Sequence, residues 1–233
     1  MQICRARCLR YVKYHMLLSV GRFGGYRVLQ IQYRFSDDVG RFPSTEFYQG
    51  RLRSGLHNER HGEVLMESLF PWPKKDRRFI PNVFVPCVTE EDYGRSSKGN
   101  EGQALLIQRI ISLLRTARDS TDKLTAPLVS SSSIAMLTPY SRQVRQLRER
   151  LASEVTVSTI DGFQGRESDI VILSTVRCNA ECDIGFVDDP RRLNVAWTRA
   201  RLALLIVGDR RTLETNCPLS KRAIVDCTQV EIP

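Results

Sequence analysis

The strongest constraint on this chain is a set of short, nearly continuous apolar runs, Ile134–Leu137, Asp169–Val176 and Leu202–Val207. A strand covered on both faces reads this way, because neither face meets water and the polar half of the usual alternation disappears. Around these runs the apolar period lengthens. From Glu101 to Ala117, residues Ala104, Ile107, Ile110, Ile111, Leu114 and Ala117 recur at steps of three and four, which predicts an amphipathic helix. Thr138–Pro139 ends the first run, and Val144, Leu147 and Leu151 then put one apolar face on a second helix whose other face holds Arg142, Arg145 and Arg148. Pro190–Arg201 predicts a third helix, with Pro190 suited to the first turn. Strands alternating with helices imply an α/β domain with a mostly parallel sheet and helices on both faces.

The remaining stretches read more locally. Val28–Gln32 and Val155–Thr159 are expected as strands, and Val83–Val88 as a strand pushed towards an edge by Pro86. Phe42–Leu52 is expected as a turn-rich connection, and Phe70–Pro73, Lys74–Arg78, Glu90–Asn100 and Thr121–Ser133 as loops, the last rich in serine.

A chain of 233 residues is long enough for one large domain, or a domain with an extension. Hydrophobic content of 42% with 26% charged residues excludes wholly disordered and collagen-like classes, and no apolar stretch approaches the roughly 18 residues of a membrane span. A net charge of +9 favours polyanionic partners. The excess begins early, since seven Arg or Lys residues precede the first carboxylate, Asp37. Seven scattered cysteines without a secretory signal fit a reduced intracellular chain, and neither C-x3-C pair has the neighbours of a zinc site.

Three segments carry chemistry. After Ser158–Thr159 comes Asp161-Gly162-Phe163-Gln164-Gly165-Arg166-Glu167, where glycines at a strand end would let backbone approach a phosphate. Glu167 repels phosphate, so its partner in a nucleotide site would be a hydroxyl, as on ribose. In the second segment, Pro190–Arg201, helical spacing turns Leu193, Trp197 and Ala200 to the core and sets Arg192 and Arg199 on one other face. A guanidinium there can stabilise charge developing in phosphoryl transfer. Third, Gln32-Tyr33-Arg34 joins an aromatic face to a guanidinium, which suits a base beside a phosphate. Each segment also has a plain structural reading, as a tight turn, a solvated basic helix and surface residues. No G-x-x-x-x-G-K-[ST] phosphate loop occurs anywhere in the chain. Glu90-Glu91-Asp92 imitates a magnesium-binding strand end without one, and no metal site is expected. His15, His57 and His61 lack nucleophile partners.

The stretches QYRFSDDVGRFPSTEFYQGRL, SIAMLTPYSRQVRQL, VSTIDGFQGRESDIVILSTVR and GFVDDPRRLNVAWTRARLALLIVGD, in this order from about Val28 to Asp209, resemble the second RecA-like domain of superfamily 1 helicases of the regulator-of-nonsense-transcripts and senataxin type. The resemblance implies a RecA-like domain over 21–215, preceded by a basic extension, 1–20, and followed by a tail, 216–233. It implies that ATP sits between two such domains. Tyr33 would meet adenine, Arg34 the γ-phosphate, Gly165 the phosphates and Glu167 the ribose, with Arg199 as arginine finger. Single-stranded RNA or DNA would run near Ser44, Thr138, Pro139, Tyr140 and Thr159. ATP and Mg2+ would require a first RecA-like domain as partner, since this chain has no phosphate loop. No membrane partner is implied, and the location would be cytoplasmic or nuclear. The sequence departs from the family where Phe35-Ser36-Asp37 replaces Met-His-Pro, and where Trp197 replaces a smaller residue.

Two functions follow as expectations. In the first, the chain is the carboxy-terminal motor half of an ATP-dependent helicase, inactive alone. In the second, it is a stand-alone module that grips single-stranded nucleic acid without chemistry.

Overall fold

Six strands form the centre of the molecule: β1 (Asn82–Pro86), β2 (Ile134–Thr138), β3 (Thr156–Thr159), β4 (Ser168–Ser174), β5 (Ala200–Gly208) and β6 (Thr228–Gln229). The computed structural model describes residues 17–19, 26–28, 30–56, 63–93, 97–116, 133–151, 153 and 155–232. The sheet runs in the order β3-β2-β4-β5-β1-β6, and every neighbouring pair is parallel. Helices α1 (Asp37–Tyr48), α2 (Glu101–Arg115), α3 (Ser141–Arg150), α4 (Pro190–Trp197), α5 (Arg210–Thr215) and α6 (Pro218–Asp226) surround it.

Alternate residues of the strands feed two separate cores. Ala135, Leu137, Val171, Leu173, Leu204 and Ile206 pack with Val39, Phe42, Leu193, Trp197 and Ile224, so α1, α4 and α6 cover one face. Ile134, Met136, Ile170, Ile172 and Leu205 pack with Ile107, Ile110, Leu114, Val144 and Leu147, so α2 and α3 cover the other. Removing each such side chain from water contributes about 1.5–3 kcal/mol, and double coverage explains the missing polar alternation.

Several local expectations change. Phe42–Leu52 is not a turn-rich connection. Most of it belongs to α1, which starts where Ser36 Oγ accepts from Val39 N and where Asp37 and Asp38 favour the positive end of the helix dipole. Pro43 inside α1 has no N–H to give the Val39 carbonyl four residues earlier. The fully buried Trp197 indole N–H donates to that carbonyl instead, at 2.8 Å, and its ring lies 4.4 Å from that of Phe42. The departure at Trp197 is thus matched to the proline in the neighbouring helix.

β1 is not an edge strand, because β6 lies outside it. Cys87 N donates towards β5, to Gly208 O, so the position of Pro86 would face β6, whose strand ends at Gln229 opposite Phe84. The missing donor therefore breaks no ladder bond. Residues 216–233 are not a tail, since they supply α6 and the sixth strand. The strand expected over Val28–Gln32 is two pieces, Tyr26–Val28 antiparallel to Leu17–Ser19, and Ile31–Gln32 parallel to Arg53–Ser54. Lys74–Arg78 enters a small ribbon turned by Asp76 and Arg77, both at positive φ. Of the expected extension only Leu17–Ser19 is described, and most of the loop before Ser133 also lies outside the described residues.

Candidate functional site

The residues singled out in the sequence gather at two opposite edges of the sheet. Seven residues of β4, at about 3.3 Å each, put roughly 20 Å between those edges.

The first cluster stands at the amino ends of β4 and β5. The expected helix over Pro190–Arg201 stops at Trp197, Thr198 caps it, and β5 begins at Ala200, so Arg199 occupies the turn between them. Arg199 and Arg192 therefore do not share a helix face. Arg199 donates from Nε to Val195 O at 3.2 Å and from Nη1 to Arg166 O at 3.1 Å. Arg34 reaches the same turn from the other side, donating from Nη1 to Thr198 O at 2.9 Å and from Nε to Glu167 Oε2 at 2.7 Å. Gln32 holds the Arg34 backbone, its Oε1 accepting from Arg34 N at 2.7 Å. Burial lowers the pKa of Arg199, and the positive charge of Arg34 lowers it further. Two guanidiniums thus converge on the turn after α4, and Glu167 pairs with Arg34 beside it. Arg201 stands at the outer side of Glu167, 3.9 Å away.

Tyr33 projects beside this cluster with 72% of its surface exposed, its ring laid across Gly55. Gly165 is exposed at φ +83°, a conformation that favours glycine, and the chain turns there towards Glu167. The segment was expected at a strand's carboxyl end, but only its beginning lies there. Residues 160–167 cross from the end of β3 back to the start of β4, which brings Glu167 to the amino edge.

The second cluster stands at the carboxyl ends of β2 and β3. Thr138 and Thr159 are register partners across the two strands, and Pro139 and Tyr140 follow at once. Thr159 is half-buried and accepts at Oγ1 from Gly162 N at 3.0 Å; Pro139 is half-buried too. Thr138 is fully buried and accepts at Oγ1 from Tyr140 N at 3.4 Å. Tyr140 is also buried, its hydroxyl 3.4 Å from Arg177 Nη1. Ser44 does not join this group. It lies buried within α1 and its hydroxyl donates to Leu52 O at 2.8 Å, holding the turn after the helix.

Behind this edge lies a charged network that the sequence reading missed. Glu91 is 5% exposed and pairs with Lys98 at 2.6 Å and Arg177 at 2.8 Å, while its Oε2 accepts from Cys178 N at 3.0 Å. Burial would raise the Glu91 pKa, but Lys98, Asn179, the Cys178 amide and Arg177 together pull it below the ordinary range. The acidic strand end is therefore part of an ion-pair network. Asp161 likewise pairs with Arg192 at 3.0 Å, and Asp169 accepts from Ser133 N at 2.9 Å. Among the described residues no group of three metal-ligating side chains comes together.

A six-stranded parallel sheet covered by helices on both faces is the architecture of a RecA-like domain. A family model described as an AAA domain matches residues 20–211, and the chain belongs to that family. A regulator of nonsense transcripts 1 homolog from Drosophila melanogaster is 34% identical over 187 residues, covering 79% of this chain and 15% of its own length. The ATP-dependent helicase NAM7 of Saccharomyces cerevisiae is 36% identical over 198 residues, with 81% and 19% covered. The DNA polymerase alpha-associated DNA helicase A of the same yeast is 32% identical over 202 residues, with 81% and 28% covered. The chain spans less than a third of the length of these relatives. It is homologous to a helicase domain of the regulator-of-nonsense-transcripts type.

Proposed function

We propose that this chain acts as the carboxy-terminal motor half of an ATP-dependent RNA or DNA helicase. The observation that carries this reading is the meeting of Arg34 and Arg199 beside Glu167, next to an exposed Tyr33. Arg199 is half-buried beside a second guanidinium, with Glu167 as the carboxylate nearby, and a phosphate oxygen adds negative charge where two cations come together. Tyr33 offers its open face to adenine, Gly165 leaves room for the phosphates, and Glu167 accepts from the ribose hydroxyls once Arg34 turns to phosphate.

Bound ATP supplies the phosphoryl group, and Arg34 and Arg199 stabilise the charge that develops on its oxygens. The phosphate loop and the Mg2+ carboxylates belong, on this reading, to a first RecA-like domain that pairs with this edge. The chain by itself then does not hydrolyse ATP. At the opposite edge, Pro139 and Thr159 lie near single-stranded RNA or DNA, with Thr138 and Tyr140 shaping the surface beneath.

Fusing the chain to a first RecA-like domain of a regulator of nonsense transcripts tests this directly. ATP turnover should emerge, and Arg199→Ala should reduce it by at least about 10³-fold. Turnover in the fusion that ignores both Arg199→Ala and Arg34→Ala would contradict the assignment. The alternative, a nucleic-acid-binding module without chemistry, draws on the +9 charge and the lack of a phosphate loop; it predicts nucleic-acid binding but no turnover in the fusion.

A further inference from the structure

Tyr140 is an aromatic residue at the carboxyl edge, yet its ring is buried, and Phe186 packs beside it. The ring centroids are 5.7 Å apart, and Phe186 keeps 56% of its surface exposed. The guanidinium of Arg192 lies over the Phe186 ring, 5.0 Å from its centre, and is steadied by Asp161, two residues beyond Thr159. Gly185 makes this placement possible. Its φ is +54°, and the Tyr140 hydroxyl and the Arg177 guanidinium occupy the space where a Cβ would stand.

An aromatic ring left open to water leaves hydrophobic free energy unrealised until a bound group covers it. Its surroundings decide what recovers it. Phe186 sits amid Arg192, Asp161 and the ends of β2 and β3, with polar and charged groups around it. Such a surface suits a planar, hydrogen-bonding ring attached to a phosphate chain better than an apolar protein face.

We propose that Phe186 is a base-stacking platform for single-stranded nucleic acid, with Arg192 beside it for the adjoining phosphate. The inference rests on the helicase reading of the carboxyl edge and adds a contact to the base that strand-end threonines cannot make. Backbone contacts respond to salt through counterion release, whereas stacking needs the base itself.

The test measures affinity of the full chain for a labelled oligouridylate and for an abasic ribose-phosphate oligomer of equal length. The wild type should prefer the base-bearing strand by roughly tenfold. Phe186→Ala and Phe186→Leu should lose that preference while binding the abasic strand as before, and Phe186→Trp should keep it. Unchanged abasic binding also serves as the control for folding. Retained preference in Phe186→Ala or Phe186→Leu would overturn the proposal. Equal, salt-dependent binding of both strands by the wild type would overturn stacking and leave the helicase reading standing. Binding of neither strand would overturn the proposal and count against that reading as well.

Discussion

Arg34, Glu167 and Arg199 were legible in the sequence as candidates, because their chemistry belongs to the residue type: two permanent cations and one carboxylate in motifs of fixed order. Their meeting point was not, because it depends on α4 ending at Trp197 and on the chain crossing back to the start of β4. The burial of Ser44 and Tyr140 was not legible either. Motif position says nothing of burial, and both are covered by their own surroundings. Glu91 was read only as an imitation of a metal ligand, since its partners Lys98 and Arg177 come from later segments. Removing its charge leaves the buried Arg177 with only the exposed Asp183, 2.8 Å away, as a carboxylate partner, so Glu91→Gln should destabilise the fold by roughly 3 kcal/mol in urea unfolding at pH 7. The pH dependence has a fixed sign. The folded-state pKa of Glu91 lies below the unfolded value of about 4.3, so its stabilisation is complete above that value and fades as pH falls through the folded one. The gap in urea midpoint between wild type and Glu91→Gln should therefore close in acid; a gap that stays constant from neutral to strongly acidic pH would rule out the ion-pair account.

At the scale of elements, α2 was readable because Ala104, Ile107, Ile110, Ile111 and Leu114 keep one face, and Asn100 caps it by accepting from Gln103 N; Ala117, expected at its end, lies outside the described residues. α1 was hidden by Gly40, Pro43 and Ser44, residues that usually mark turns. Its stability comes from outside: Phe42 and Val39 pack on the sheet, and Trp197 satisfies the carbonyl that Pro43 leaves open. This contact joins the helix that follows Arg34 to the helix that precedes Arg199. Trp197→Phe keeps much of the apolar volume but deprives the buried Val39 carbonyl of its donor, which should cost about 1–3 kcal/mol. Trp197→Ala adds a cavity and should cost about 3–5 kcal/mol. Thermal or urea unfolding of both variants checks the order; a Trp197→Phe variant as stable as wild type would mean that the hydrogen bond contributes nothing. Restoring a backbone donor with Pro43→Ala should soften the Trp197→Phe loss, a coupling that a double-mutant cycle reads directly.

For the whole molecule, the α/β class followed from strands alternating with helices, and the sheet is parallel as expected, with both faces covered. What the pattern could not reveal was the part of α6 and β6, too short and too polar to stand out, in completing the sheet beyond β1. The sheet separates the proposed nucleotide edge from the proposed nucleic-acid edge, and residues 160–167 run between them, starting beside Thr159 and ending at Glu167. With a net charge of +9, binding of single-stranded RNA should weaken steeply as salt rises, and a flat response in a filter-binding titration would contradict the electrostatic grip. The most direct test of the central claim is ATP hydrolysis by the purified chain, with and without single-stranded RNA, alongside Arg199→Ala. A motor half that supplies arginines but no phosphate loop should show no turnover above background in any of these samples. Turnover that RNA stimulates and Arg199→Ala abolishes would contradict the account, because the chain would then hold a complete phosphoryl-transfer site of its own.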